Sequence, residues 1–252
     1  MNRLKTLFRL CCPPVIYGSL SAVKRALFSP PPKRKRRHFS SASSGAMNSP
    51  EHQELGIYWD DDFAALLDTW GEKTVWQEIP LLLAACRGRV LDIACGTGKV
   101  IEILARTSPQ LEVHGCDISD KLIKRAIAKG IPAERLKICD ATNSGYTDNA
   151  FDHAYSIGSL EHFTEDGIVK TVKECHRTVK GASFHLVPVS KSGRNEGWFV
   201  TPLQSYFNNS VDWWLNKFRS AYATVYVVDS AWECPTQAGK WFVCLKQTAK
   251  TD

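Results

Sequence analysis

Three acidic residues, each at or near the end of a short apolar run, set the chemistry this sequence could perform. Asp92 lies in the first run (89–93) and is followed by the glycine-rich turn Ala94-Cys95-Gly96-Thr97-Gly98. Gly96 and Gly98 lack a Cβ, so the backbone there can approach a ligand closely. A dinucleotide fingerprint would need a third glycine where Ile101 stands. A carboxylate at position 92 would also repel a pyrophosphate; it suits a ligand that presents a positive amino group. Asp117 comes 25 residues later, at the end of the second run, where a carboxylate can accept both hydroxyls of a ribose. Asp140 ends the third run, placed to accept from the exocyclic amine of a base. Each acid alone reads as a surface charge or a helix cap. The three in register read as a mould for amine, ribose and adenine.

Elements must hold these residues in that register. From residue 88 the chain alternates β-rich runs with amphipathic stretches, and strands are expected over 89–93, 111–116, 135–139, 151–157 and 183–189. A helix should carry Val100, Ile101 and Leu104 inward. A second, capped by Ser119 or Asp120 and ended by Gly130, presents Leu122, Ile123, Ala126 and Ile127 on one face. A third carries Ile168, Val169, Val172 and Cys175. The runs 223–228 and 240–245 are joined by a turn-rich loop and are expected to pair antiparallel. Strands separated by helical crossovers give an α/β fold. We therefore expect a Rossmann-like, doubly wound, seven-stranded sheet, mostly parallel with an antiparallel C-terminal strand. In such sheets ligands sit outside the carboxyl ends of the strands, where the three acids fall.

The segments VLDIACGTG, VHGCDIS and ICDATNSGYTDNAFDHAYSIGSLEHF together resemble the signature of class I S-adenosylmethionine-dependent methyltransferases, over residues 87–190. Within that class the resemblance is to the broad group of quinone-biosynthesis and other small-molecule methyltransferases. It implies that Asp92 and the turn Ala94, Cys95, Gly96 and Gly98 hold the methionine part of S-adenosylmethionine. Asp117 would hold the ribose, Ile118 would pack on the adenine, and Asp140 and Ala141 would meet its edge. Ser156, at the fourth strand end, would line the methionine side. Ala94 stands where the family often has Gly and sometimes Ala. Methyl transfer from a sulfonium can rest largely on orientation, so neither a metal nor a dedicated base is required unless the acceptor must first lose a proton.

Glu161 and His162 follow the fourth strand, where an acceptor should enter. His162 is the candidate base or acceptor-positioning residue, against the alternative of a helix-terminal residue held by hydrogen bonds. Glu161 is read as structural, favoured by the start of the next helix. His114, His153, His176 and His185 fall within strands or a helix and are read as packed or surface histidines. The fourth strand lacks the Asn/Asp-Pro-Pro-Tyr/Phe of many methyltransferases that act on base or amide nitrogens, which disfavours those targets. Between residues 190 and 220 lie Trp198, Phe199, Tyr206, Phe207, Trp213, Trp214 and Phe218. They are expected either to wall a pocket for an apolar or aromatic acceptor, or to pack a helix over 211–218 against the sheet. Before the first strand, Tyr58, Trp59 and the acidic run Asp60–Asp62 open a helical segment expected to close over the donor.

Composition bounds the rest. The chain has 252 residues, 44% hydrophobic and 23% charged, the profile of a globular protein. The net charge of +6 hides two unlike parts: residues 1–50 hold ten Lys/Arg and no acid, leaving 22 basic against 26 acidic side chains in residues 51–252. We read 1–50 as a basic Ser/Pro-rich tail and 51–252 as the methyltransferase domain. An acidic body argues against nucleic-acid binding. Nine scattered cysteines with no Cys-x-x-Cys pair argue for reduced thiols and against structural zinc. The acid-free tail reads as a mitochondrial transit peptide, with Arg37-His38-Phe39-Ser40 as a cleavage site. Its alternatives are a nuclear import signal at Lys33-Arg34-Lys35-Arg36-Arg37, or a cytoplasmic protein that starts at Met47.

Overall fold

The computed structural model describes residues 55–200 and 204–246, so the basic tail lies outside the described residues. The chain enters through a short 3-10 helix, Gly56–Trp59, then α1 (Asp61–Leu67) and α2 (Val75–Leu82). Asp60 caps α1, its carboxylate accepting from the Phe63 amide at 2.9 Å. Then follow β1 (Gly88–Ile93), α3 (Lys99–Thr107), β2 (Leu111–Asp117), α4 (Asp120–Ala128), β3 (Leu136–Ile138) and β4 (His153–Ile157). A 3-10 turn at Leu160–His162 leads to α5 (Glu165–Thr178) and β5 (Ala182–Ser190). The minor pair β6 (Trp198–Phe199) and β7 (Tyr206–Phe207), then α6 (Val211–Phe218), precede the closing hairpin of β8 (Thr224–Glu233) and β9 (Gln237–Leu245).

The main sheet has seven strands in the order β3-β2-β1-β4-β5-β9-β8. β1 pairs parallel with β2 on one side (Asp92 opposite Gly115) and with β4 on the other (Asp92 opposite Tyr155). β9 lies antiparallel to both β5 and β8, the single reversal in an otherwise parallel sheet. The chain winds outward from β1 through β2 to β3, then crosses back to β4, which opens a crevice at the carboxyl end of β1.

Both faces of the central strands are covered, so Val90, Leu91 and Ile93 are all buried although they alternate in direction. α5 buries Ile168, Val172 and Cys175 completely or nearly so, while Val169 is half-exposed. Burying each large aliphatic chain contributes about 1.5–3 kcal/mol, which is what fixes this crossover helix on the sheet. β4 starts two residues later than its apolar run, at His153, because Phe151 makes only an isolated bridge to Val179.

Candidate active site

β1, β2 and β3 deliver Asp92, Asp117 and Asp140 to a single open cleft of about 990 Å³. Asp117 is held most firmly: its Oδ2 accepts from the Gly96 amide and its Oδ1 from the Ser119 amide, both at 2.9 Å. Burial pushes its carboxyl up, and the amides of Ser119, Gly96 and Ile118 oppose that. Asp92 is 4% exposed, and its Oδ2 accepts from the Tyr155 hydroxyl at 3.0 Å. Its carboxyl is pushed well above the usual range, by burial first and then by repulsion from Asp117, with the tyrosine hydrogen bond opposing. A cationic ligand between these two acids would relieve that repulsion. Asp140 sits at the exposed rim, its Oδ1 turned to the Thr142 amide at 2.8 Å.

The turn between β1 and α3 brings the backbone to the cleft through left-handed conformations at Ala94 (φ 57°), Gly96 (φ 55°) and Gly98 (φ 73°). Ala94, Cys95 and Gly96 line the cleft, as do Ile118 and Ala141. The left-handed φ at Ala94 explains why glycine also suits that position. Gly98 does not line the cleft, contrary to expectation. A Cβ there would stand 2.3 Å from Ile131 Cδ1 and 3.1 Å from Ala126 Cβ, so this glycine permits close packing of α3's start on α4.

Ser156 is a second correction. It is fully buried and its Oγ meets His185 Nδ1 at 2.8 Å, on the far side of the sheet from the cleft. Successive strand residues point to opposite faces. Tyr155 and Ile157 therefore face the cleft side, and Ile157, Gly158 and Ser159 form its wall there.

For the aromatics of 190–220 the structure takes the second of the two expected arrangements. Trp198, Phe207, Trp214 and Phe218 are buried in a cluster of their own with Phe242, and only Gln204 of this connection reaches the cleft among the described residues. The alternative reading of this segment, a helix packed on the sheet, is what α6 shows. Asn208 and Asn209 of this connection are both buried, at 2% exposure.

Aromatic lining comes instead from the segment before β1: Tyr58, Phe63, Trp70 and Trp76, with Phe163 opposite. This roof is stitched to α4. Ser119 Oγ donates to the Tyr58 carbonyl at 2.7 Å, Trp59 Nε1 donates to Asp120 at 2.9 Å, and Asp61 pairs with Lys121 and Arg125. Asp68 accepts from both Thr97 Oγ1 and Lys129 Nζ, tying the end of α1 to the glycine turn. The acidic run 60–62 was the sequence signal for this segment, but the lining aromatics at 63, 70 and 76 have no short-range pattern that points to a cleft.

His162 lines the cleft, buried at 8% exposure. Its Nδ1 lies 2.8 Å from the Ser205 carbonyl. A carbonyl only accepts, so Nδ1 carries the proton and Nε2 a lone pair. Burial lowers its pKa to about 4, so the ring is neutral near pH 7. Glu161, read from the sequence as structural near the start of the next helix, is buried. It lies in the 3-10 turn, ahead of α5 and its Thr164 cap, and burial pushes its carboxyl up to about 8. His114 and His185 are buried and bonded to Glu112 and Ser156. Among the described residues no group of three or more His, Cys, Asp or Glu is placed to hold a metal ion, and no helix is long and apolar enough to cross a membrane.

Residues 90–181 match a family model described as a methyltransferase domain. The demethylmenaquinone methyltransferase of Thermotoga maritima is 31% identical over 114 residues, 44% of this chain and 48% of that protein. The Probable tRNA methyltransferase 9B of Mus musculus is 33% identical over 91 residues, 36% of this chain and 19% of that one. The chain thus spans about half, or less, of the length of these curated relatives. A Clostridium acetobutylicum S-adenosylmethionine-dependent methyltransferase superposes with a TM-score of 0.57 at 16% identity, covering 74% of this chain and 99% of that one. Haemonchus contortus phosphoethanolamine N-methyltransferase 2, solved with S-adenosyl-L-methionine, gives 0.54 at 16% identity, covering 68% and 52%. Strand order and the match over residues 90–181 give the chain a Rossmann-like α/β domain of the methyltransferase type. Residues 90–181 are thus similar to S-adenosylmethionine-dependent methyltransferases in sequence, and the described fold is theirs in strand order.

Proposed function

We propose that this chain transfers the methyl group of S-adenosylmethionine to a small-molecule acceptor. The observation that carries the reading is the convergence of Asp92, Asp117 and Asp140, from three adjacent strands, on one cleft beneath an aromatic roof. The residues fit the donor chemically: two buried carboxylates that repel each other suit a ligand bearing an ammonium group, and Gly96 leaves the backbone bare beside them. When bound, the donor supplies an already activated methyl group. Asp92 would hold its amino group, Asp117 its ribose hydroxyls, and Ile118, Asp140 and Ala141 its adenine. The roof would exclude water, and His162 Nε2, neutral and unprotonated, could accept a proton from the acceptor.

A roof fastened to α4 at four places favours an acceptor small enough to enter the cleft. The likeness to a tRNA methyltransferase supports a second reading, a macromolecular acceptor with the basic tail as a tether. A third is a donor-binding accessory subunit without turnover. Calorimetric titration of the full chain with S-adenosylhomocysteine should show one saturable site. Incubation with labelled donor and either metabolite fractions, RNA or protein then separates the readings. Label in metabolites, unaffected by deleting residues 1–46, is the result expected; label in RNA or protein that is lost on deletion would overturn it, and binding without label in any fraction would leave the accessory subunit. We also propose that the tail directs the chain to mitochondria, which sequencing the mature N-terminus from an isolated organelle would check.

A further inference from the structure

The turn after β4 holds hydrogen-bond acceptors that the protein itself leaves unused. Glu161 is 4% exposed, yet its Oε2 has no partner, and the buried Ser159 Oγ has none either. His162 Nε2 presents a lone pair 3.6 Å from Glu161 Oε1, too far for a hydrogen bond. Among the described residues no lysine or arginine stands within ion-pair distance of Glu161. Its Oε1 also lies 3.6 Å from where a Cβ on Gly158 would be, and Trp70 packs on the same glycine, its ring 3.4 Å from that point. Gly158, Ser159, His162 and Trp70 all line the cleft; Glu161 does not, and its carboxyl lies next to the lining residue Gly158. Leaving a buried carboxyl oxygen unpaired is unfavourable, and a ligand that donates to it removes that cost.

Resting on the donor site argued above, we propose that Ser159, Glu161 and His162, walled by Trp70, form the acceptor subsite, and that it takes a primary or secondary alkylammonium group. The chemistry of the donor and acceptor sets decides the class. The subsite offers a carboxyl oxygen, an imidazole lone pair, a hydroxyl and an aromatic ring, and no cation. An alkylammonium presents two or three N–H donors and no acceptor, and its charge is attracted to a ring face. An alcohol or phenol has one donor and would leave most of these groups unmatched. Burial keeps Glu161 protonated at neutral pH, so pairing with an ammonium expels that proton to solvent. The carboxylate can then take one N–H proton: the N–H bond breaks, an O–H bond forms at Oε2, and nitrogen keeps the lone pair that accepting a methyl group requires.

The test titrates the full chain, with and without S-adenosylhomocysteine, with n-butylammonium and with n-butanol. Butylammonium should bind saturably and n-butanol should not. Heats compared in phosphate and Tris buffers at pH 7 should report release of about one proton on binding. Glu161→Gln should weaken butylammonium by roughly tenfold or more while S-adenosylhomocysteine affinity stays within about twofold. Equal binding of amine and alcohol, no proton release, or an unchanged Gln variant would each overturn the subsite. If that variant does not fold, the wild-type comparison and the proton count decide. Failure of S-adenosylhomocysteine alone to bind would strike the donor reading; failure of butylammonium alone would strike only this one.

Discussion

Asp117 combines two tasks in one carboxylate. It fastens the glycine turn and the start of α4 through two backbone amides, and it faces the cleft with the lone pairs that remain. Asp117→Ala should therefore weaken S-adenosylhomocysteine binding by about 1.5–3 kcal/mol through lost charge-assisted hydrogen bonds. Calorimetry showing unchanged affinity would remove its ribose role. His162 differs in kind, because its Nδ1 is spent on the Ser205 carbonyl and only Nε2 is left for chemistry. If it accepts a proton, His162→Gln should lower turnover and leave donor affinity near wild type; equal loss of both would make it structural.

The elements around the cleft work by close approach. Gly98 begins α3 with φ 73° and lets that end of the helix sit against Ala126 and Ile131. Gly98→Ala adds a left-handed alanine and a clash, a combined cost of about 2–4 kcal/mol. A second change, Ile131→Ala, should recover part of the lost melting temperature; no recovery would show that the clash is not the cause. The roof depends on Asp68, which joins α1 to Thr97 and Lys129. With Asp68→Ala, amide exchange across residues 56–70 should quicken while the sheet strands keep their protection. Uniform acceleration would instead indicate global destabilisation.

For the molecule as a whole, three buried groups bend the pH dependence of stability. Burial lowers the pKa of His162 to about 4 and that of His185 to about 3, below the usual 6.5. Their contribution is present above pH 6.5 and is lost as pH falls through those values. Glu161 runs the other way: raised from 4.5 to about 8, it contributes fully below pH 4.5 and its contribution fades as pH rises through 8. Between pH 6.5 and 8 the histidines are silent, so stability should decline with rising pH. Glu161→Gln should make that decline shallower in urea titrations, and an unchanged slope would show that the carboxyl is not held protonated by the fold.

Strand and helix order could be read from the residues alone, because each crossover helix and each buried strand declares its period through its own residues. Asp92, Asp117 and Asp140 were legible for the same reason: each stands at or near the end of an apolar run, and parallel strands bring like ends together. Only the tertiary structure decided which face of an element meets the cleft. Period-2 alternation says that Ser156 and Ile157 point oppositely, but packing of His185 against Ser156 settles which of them is inside. The aromatics of 190–220 and those of 58–76 look alike as residues, and their division between core and cleft depends on packing against residues elsewhere in the chain, such as Phe242 of β9. The burial of Glu161 and its unpartnered Oε2 were not legible for the same reason, since both are sums over non-local neighbours that no local pattern encodes.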